Sequence, residues 1–161
     1  MVRQNHGVSL TLVELERPEG ERHWFPFTDE EAGLGFTPQW WYKNPVSPGS
    51  QHVFLRFVEN DIEVARVELD NEVRIDRYAD VPALGATALE IQFIEVHRDH
   101  RRRGIGHAVI GLLHHRYPDR RLVAFSHGVD GFWSSLGWRR HLHANPDDAP
   151  FFRPLFIQPG L

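Results

Sequence analysis

Cysteine is absent from the chain, which excludes disulfides, thiolate metal sites and any cysteine nucleophile. Long apolar runs are missing too. The N-terminus, MVRQNHGVSLTLVELERP, alternates and has no continuous apolar core of a leader, and no run elsewhere reaches membrane-spanning length. The expectation is a soluble, cytoplasmic protein with no membrane partner. No linker, repeat or low-complexity tract divides the 161 residues, so residues 1–161 are expected to form a single domain with a real core. A net charge of -4 argues against general affinity for nucleic acid. One lysine against seventeen arginines reads as genomic composition bias and carries no functional reading. Neither Ser126 nor Ser134 sits in a G-x-S-x-G elbow. Eleven histidines include the close pair His141 and His143 but no third ligand at a recognisable spacing, so no metal site is expected.

What the chain does contain is concentrated between Leu89 and Gly106, LEIQFIEVHRDHRRRGIG. Glu90 and Gln92 alternate with Ile91 and Phe93, and the phase then slips at Ile94 before Glu95 and Val96 resume it. A bulge near Phe93 or Ile94 would keep Glu90, Gln92 and Glu95 on one face with Ile91, Phe93 and Val96 inward. An irregular edge strand with a solvated polar face is the alternative. Beyond it, Gly104 and Gly106 permit close backbone approach, and Ile105, Ala108, Val109, Leu112 and Leu113 follow helical spacing. A helix therefore begins at the glycines and stops near Tyr117, ahead of Pro118. Its free N–H groups and dipole face the loop, and Arg98, Arg101, Arg102 and Arg103 add positive charge. This is an anion site that suits phosphate or pyrophosphate. It is not a Walker A loop, since His107 and Ala108 follow Gly106 where Lys and Ser or Thr are required. It is a poor dinucleotide-binding turn, with Val109 at the third glycine position and several residues between strand and glycine.

Arg101-Arg102-Arg103-Gly104-Ile105-Gly106 resembles the R/Q-x-x-G-x-G/A signature of the GNAT superfamily of N-acetyltransferases, whose backbone amides hold the pyrophosphate of acetyl-CoA. Downstream, Leu122 to Phe125 reads as a buried strand, and Gly131 to Trp138, GFWSSLGW, resembles the family's closing motif, roughly F-Y-x-x-L-G-F. The two motifs stand in the family's order and cover residues 89 to 138. The resemblance implies an α/β (mixed α+β) fold, with a largely antiparallel sheet of six to seven strands around a central βαβ-like unit flanked by helices. It implies transfer of acetyl from acetyl-CoA to a primary amine by direct attack on the thioester. It also implies that Ile94, Glu95 and Val96 at the strand end, with Arg101, Arg102, Arg103, Gly104, Ile105, Gly106 and His107, hold the acetyl-CoA. The backbone N–H of Val96 would serve the carbonyl oxygen. Glu90 lies eleven residues before Arg101, a spacing at which some members place a catalytic glutamate, and is the candidate base; Glu95 is its nearest competitor. Trp133 stands where many members have the tyrosine thought to protonate the leaving thiolate. An indole can donate a hydrogen bond but is no useful proton source. That departure keeps a second class open, a catalytically weak acyl-CoA-binding module that senses or regulates. Nothing in the sequence indicates an oligomer.

Elsewhere the pattern is coarser. Val8, Leu10 and Leu12 alternate as a first strand ahead of Pro18-Glu19-Gly20, and Thr28 with Glu31 makes a capping-box pattern for a short helix. Trp24, Phe25, Phe27, Phe36, Trp40, Trp41 and Tyr42 crowd the same irregular segment. By resemblance it walls an acceptor pocket; as plain chemistry it fills core. Seven acidic residues between Glu14 and Glu31 stand against Arg17 and Arg22, which suits a cationic acceptor or an ordinary solvated surface. His52 to Glu59 and Ile62 to Leu69 form two strands joined at Asn60-Asp61. Val73 and Ile75 extend or follow that meander, and residues 80 to 88 are a loop. Arg139 to His143 and Phe151 to Ile157 supply a final strand pair.

Overall fold

The computed structural model describes residues 8–27, 35–41 and 44–160. The expected capping box at Thr28 to Glu31 and the ring of Tyr42 lie outside the described residues. The described residues contain seven strands in one sheet, ordered β1-β2-β3-β4-β5-β7-β6. They are β1 (Thr11–Glu14), β2 (His52–Glu59), β3 (Ile62–Asp70), β4 (Ala88–Val96), β5 (Arg121–Phe125), β6 (Arg139–His141) and β7 (Leu155–Ile157). Three α-helices accompany them: α1 (Pro38–Trp41), α2 (Ile105–Arg116) and α3 (Asp130–Ser135). The mixed, largely antiparallel sheet is the fold class expected from the sequence. β4 and β5 pair parallel, are joined through α2 and so form the βαβ unit.

The chain divides into two compact units, Met1–Glu68 with Phe93–Leu113 and Leu69–Gln92 with His114–Leu161. In the first, β1 runs antiparallel to β2 from Thr11↔Val58 to Glu14↔Leu55. The turn after β2 places Asn60 at φ 50 and Asp61 at φ 64. Both central residues in the left-handed region define a tight hairpin turn that matches strand twist, and Asn and Asp tolerate that region better than other non-glycine residues. β3 is buried over most of its length. Phe27, Phe36, Trp41 and Phe54 form this unit's aromatic core, so most of the crowded aromatic segment does fill core. α2 buries Ile105, Val109, Ile110 and Leu113 and ends at Arg116, one residue before Tyr117-Pro118.

In the second unit, β4 pairs with β5 from Ala88↔Arg121 to Glu90↔Val123, where the register ends, although β4 runs on to Val96 and β5 to Phe125. β7 pairs antiparallel with both β5 and β6. Ile75, Tyr78, Val123, Leu155 and Ile157 make the core. The Tyr78 hydroxyl donates to the Arg153 carbonyl at 2.6 Å, and burial pushes its pKa above the ordinary phenolic value. The residues around Val73 are not a strand; Ile75 instead drops into this core from a turn closed by Tyr78 N–H to the Ile75 carbonyl. Phe151 and Phe152 also fall outside β7. Phe151 ends a short 3₁₀ turn at 83 % exposure, because Pro150 removes the N–H a ladder would need. Neither of the paired histidines is idle: His141 Nδ1 lies 2.9 Å from the Ala79 carbonyl, and His143 stacks on Phe152.

The hairpin turn yields a stability test. Asp61→Val places a β-branched residue in the left-handed region and should lower unfolding free energy by about 1–2 kcal/mol, whereas Asp61→Gly should not lower it. Urea denaturation of the two variants separates these outcomes.

Candidate functional site

Glu95 departs most clearly from expectation. It is buried, at 6 % exposure. Its carboxylate accepts from Thr37 N–H at 2.7 Å, the Thr37 hydroxyl at 2.6 Å and Trp41 Nε1 at 2.9 Å. Arg101 lies 3.7 Å away. Phe93 meets the same Trp41 ring, with centroids 6.2 Å apart, and Trp40 at 5.5 Å. Phe93 and Glu95 thus share a face of β4. The expected separation of Phe93 and Glu95 onto opposite faces does not occur. The polar residue lies on the buried face because a distant segment supplies its donors.

After Val96 the chain turns through a 3₁₀ segment, Arg98–His100. His97 N–H donates to the Val64 carbonyl at 2.8 Å and Arg98 N–H to the Gly35 carbonyl at 3.0 Å. A Cβ at Gly35 would overlap the His97 ring, and Phe36 meets that ring edge-on at 5.2 Å. The His97 pKa is pushed below its ordinary 6.5, first by burial and then by the charge of His100, with Arg98 adding and Asp99 and Glu63 opposing.

The loop's arginines are partly committed. Arg101 Nε donates to the Val96 carbonyl at 3.2 Å. Arg103 pairs with Glu59 at 2.7 Å and contacts His100 Nδ1 at 3.1 Å. Arg102 has φ 61 and Gly104 φ 75, so the loop enters the left-handed region twice before α2 begins. The Gly104 carbonyl accepts from Ala108 N–H at 3.1 Å and opens the helix. N–H groups of Ile105, Gly106 and His107 therefore have no partner within the helix. Nothing lies within 4 Å of a Cβ built on Gly104. Glycine is needed there for its φ, and the space above it is open.

Two of the expected site residues lie in the second unit. Glu90 is half-buried at the last residue of the β4–β5 register. Trp133, on α3, is 3 % exposed and stacks on Trp138 at 4.8 Å, and its buried Nε1 has no hydrogen-bond partner among the described residues. Ile94 and Val96 are half-buried on β4. Sequence reasoning missed the pair of Glu68 with His52, Oε2 to Nδ1 at 2.8 Å, beside a cavity of about 280 Å3 in the first unit. A two-residue turn at Asn60-Asp61 sets His52 opposite Leu69, one position from Glu68, so counting back from the turn does not reveal the contact.

No family model matches the sequence, nor does any curated protein. Solved structures do match. The candidate N-acetyl transferase YhhK from E. coli, bound to coenzyme A, aligns with a TM-score of 0.58 at 17% identity over 95% of this chain and 100% of its own. The N-acetylglutamate synthase of Neisseria gonorrhoeae, complexed with coenzyme A and N-acetyl-glutamate, gives 0.55 at 10% identity over 94% of this chain and 35% of its own. The ribosomal-protein-S18-alanine N-acetyltransferase of E. coli gives 0.50 at 17% identity over 92% and 91%. The chain has the fold of GNAT-type acetyltransferases.

Two predictions follow from the Glu95 and His97 contacts. Glu95→Ala strands buried donors on Thr37 and Trp41 and should cost about 2–4 kcal/mol, at about 1–3 kcal/mol per unsatisfied group, in chemical denaturation. His97 binds its proton less readily folded than unfolded, so the unfolded chain takes up protons first as pH falls through about 6.5 and stability drops. His97→Asn keeps an acceptor for Asp99 N–H and should flatten that slope in urea midpoints measured across about pH 7.5 to 5.5.

Proposed function

We propose that the protein is an acetyl-CoA-dependent N-acetyltransferase acting on a primary amine. The observation that carries the reading is Gly104, at φ 75 with open space over its Cα, opening a twelve-residue helix directly after the arginine loop. That arrangement fits a pyrophosphate. N–H groups at the helix start have no partner within the helix, the positive end of its dipole lies there, and the space over Gly104 is open. Arg102, beside them, is exposed, whereas Arg101 and Arg103 are tied back to Val96 and Glu59. Ile94, Glu95, Val96 and Arg101 to His107 are the residues assigned to the acyl donor, although Glu95 acts by fixing the loop and α1.

When bound, acetyl-CoA supplies an activated acetyl thioester; the chain's residues bind, orient and move protons. An amine resembling lysine is mostly protonated near neutrality, with a pKa of about 10.4. Glu90 holds the ammonium and accepts its proton, directly or through water. The Val96 N–H donates to the carbonyl oxygen as charge develops there. Termination of the β4–β5 register at Glu90 supports a free amide further along β4. The Trp133 indole contributes a hydrogen bond to the departing sulfur and no proton. Its unpartnered buried Nε1 supports that role, since an unsatisfied buried donor costs about 1–3 kcal/mol and a ligand acceptor removes the cost. A thiol resembling cysteine, pKa about 8.5, leaves partly as thiolate without an acid.

The direct experiment is acetyl-CoA-dependent mass gain across a panel of primary amines, and coenzyme A binding with no turnover on any of them would favour a sensing module instead. Gly104→Val forces a β-branched residue to positive φ and covers the open backbone, so calorimetry should register loss of coenzyme A affinity in a folded protein. Glu90→Gln keeps shape while removing basicity. Its kcat/KM should fall by roughly 10² to 10⁴ with coenzyme A affinity unchanged, and activity should partly return at high pH, where the amine is already neutral.

A further inference from the structure

The cavity of about 280 Å3 lies wholly within the first unit. Trp40, Trp41 and Phe54 form much of its wall, and Glu68 and His52 line it as well. The aromatic walls are fixed before any ligand arrives. Trp41 is bonded through Nε1 to Glu95, Trp40 and Trp41 rest on Phe93, and Phe54 is held edge-on by Trp24 at 5.9 Å and by Phe27 at 6.3 Å. Glu68 is 5 % exposed and keeps Oε2 2.8 Å from His52 Nδ1. Among the described lining residues Glu68 is the sole carboxylate, and none is lysine or arginine.

A carboxylate in apolar surroundings is costly unless donors meet it, and the His52 ring meets one of the two Glu68 oxygens. The complementary ligand carries its own charged donor. An ammonium group makes short charge-assisted hydrogen bonds to a carboxylate and is also attracted to aromatic faces, while its hydrocarbon body packs on the same rings. Small-ligand cavities run from about 300 to 1,000 Å3, so this one takes a compact molecule and not a folded polypeptide surface.

We propose that the cavity binds a small organic ammonium compound bearing an aryl or branched apolar group, with Glu68 as its charge partner and His52 as the positioning residue for that carboxylate. The inference rests on the transferase reading only in making this compound the acetyl acceptor.

The test is calorimetry on the full chain with 2-phenylethylamine, alongside its neutral counterpart 2-phenylethanol. Wild type should bind the amine at least about tenfold more tightly than the alcohol, the preference expected of one charge-assisted contact. Glu68→Gln should erase that preference while leaving coenzyme A affinity unchanged. Ser47→Trp, at an exposed position on the cavity wall, should abolish binding of both compounds without touching the core and serves if Glu68→Gln does not fold. Equal affinity for amine and alcohol, preference that survives in folded Glu68→Gln, or binding that survives Ser47→Trp overturns the proposal. Acetyl transfer is read separately by mass. Amine binding without transfer to any amine leaves the cavity assignment standing and removes the transferase reading; transfer to other amines with no amine preference at the cavity does the reverse.

Discussion

A carboxylate buried at the end of the central strand holds the first unit's irregular segment in place. Glu95 is nearly inaccessible, and an ionised carboxylate in that position is tolerable only when donors surround it. Those donors are Thr37 N–H, the Thr37 hydroxyl and the Trp41 indole, from residues 58 and 54 positions away in the chain. α1 is four residues long, far below the length at which a helix persists by its own hydrogen bonds. Its place is therefore dictated from β4: Thr37 sits at its entry, Trp41 at its end, and one side chain binds both. Because Trp41 and Trp40 also rest on Phe93, the cavity wall inherits its geometry from the same strand.

A second buried charge does the same for the preceding residues. Arg66 is completely inaccessible, with its guanidinium 4.4 Å from the Phe27 ring and 4.2 Å from the Phe36 ring. Glu63 accepts from it at 2.7 Å and meets Arg56 Nε at 2.6 Å through its other oxygen. A buried ion pair of this kind is weak support for stability, since desolvation offsets the attraction. Its consequence is positional. A planar cation between two rings holds Phe27 and Phe36 together.

These two charges also mark where the sequence could be read and where it could not. The β2–β3 hairpin, α2 with its stop before Pro118, and β5 were legible because each depends on neighbours a few residues away: a two-residue turn, a 3.6 period, a proline. The glycine loop was legible because a backbone requirement leaves glycine in the sequence. Glu95 was misplaced because a polar residue on an apolar face looks like a phase slip when its partners cannot be seen. Thr37 and Trp41 carry no local mark of being its donors. The pairing of Glu68 with His52 was hidden for a related reason: each alone is an ordinary strand residue, and a count from the two-residue turn sets His52 opposite Leu69. Arg66 shows the same limit, since a charged residue in the middle of β3 reads as a solvated position and is in fact the largest fully buried side chain of the strand.

Glu95's contacts also narrow the choice of base. Glu95 has its lone pairs occupied by three short hydrogen bonds and a nearby guanidinium, and releasing any of them to take a substrate proton would loosen α1 and the Trp41 wall. A general base has to accept a proton and return it on every turnover without dismantling its surroundings. Glu95 fails that requirement by position. Glu90 is half-buried where the β4–β5 register ends, and so the carboxylate that shapes the first unit and the one proposed to carry out proton transfer are separate residues of one strand.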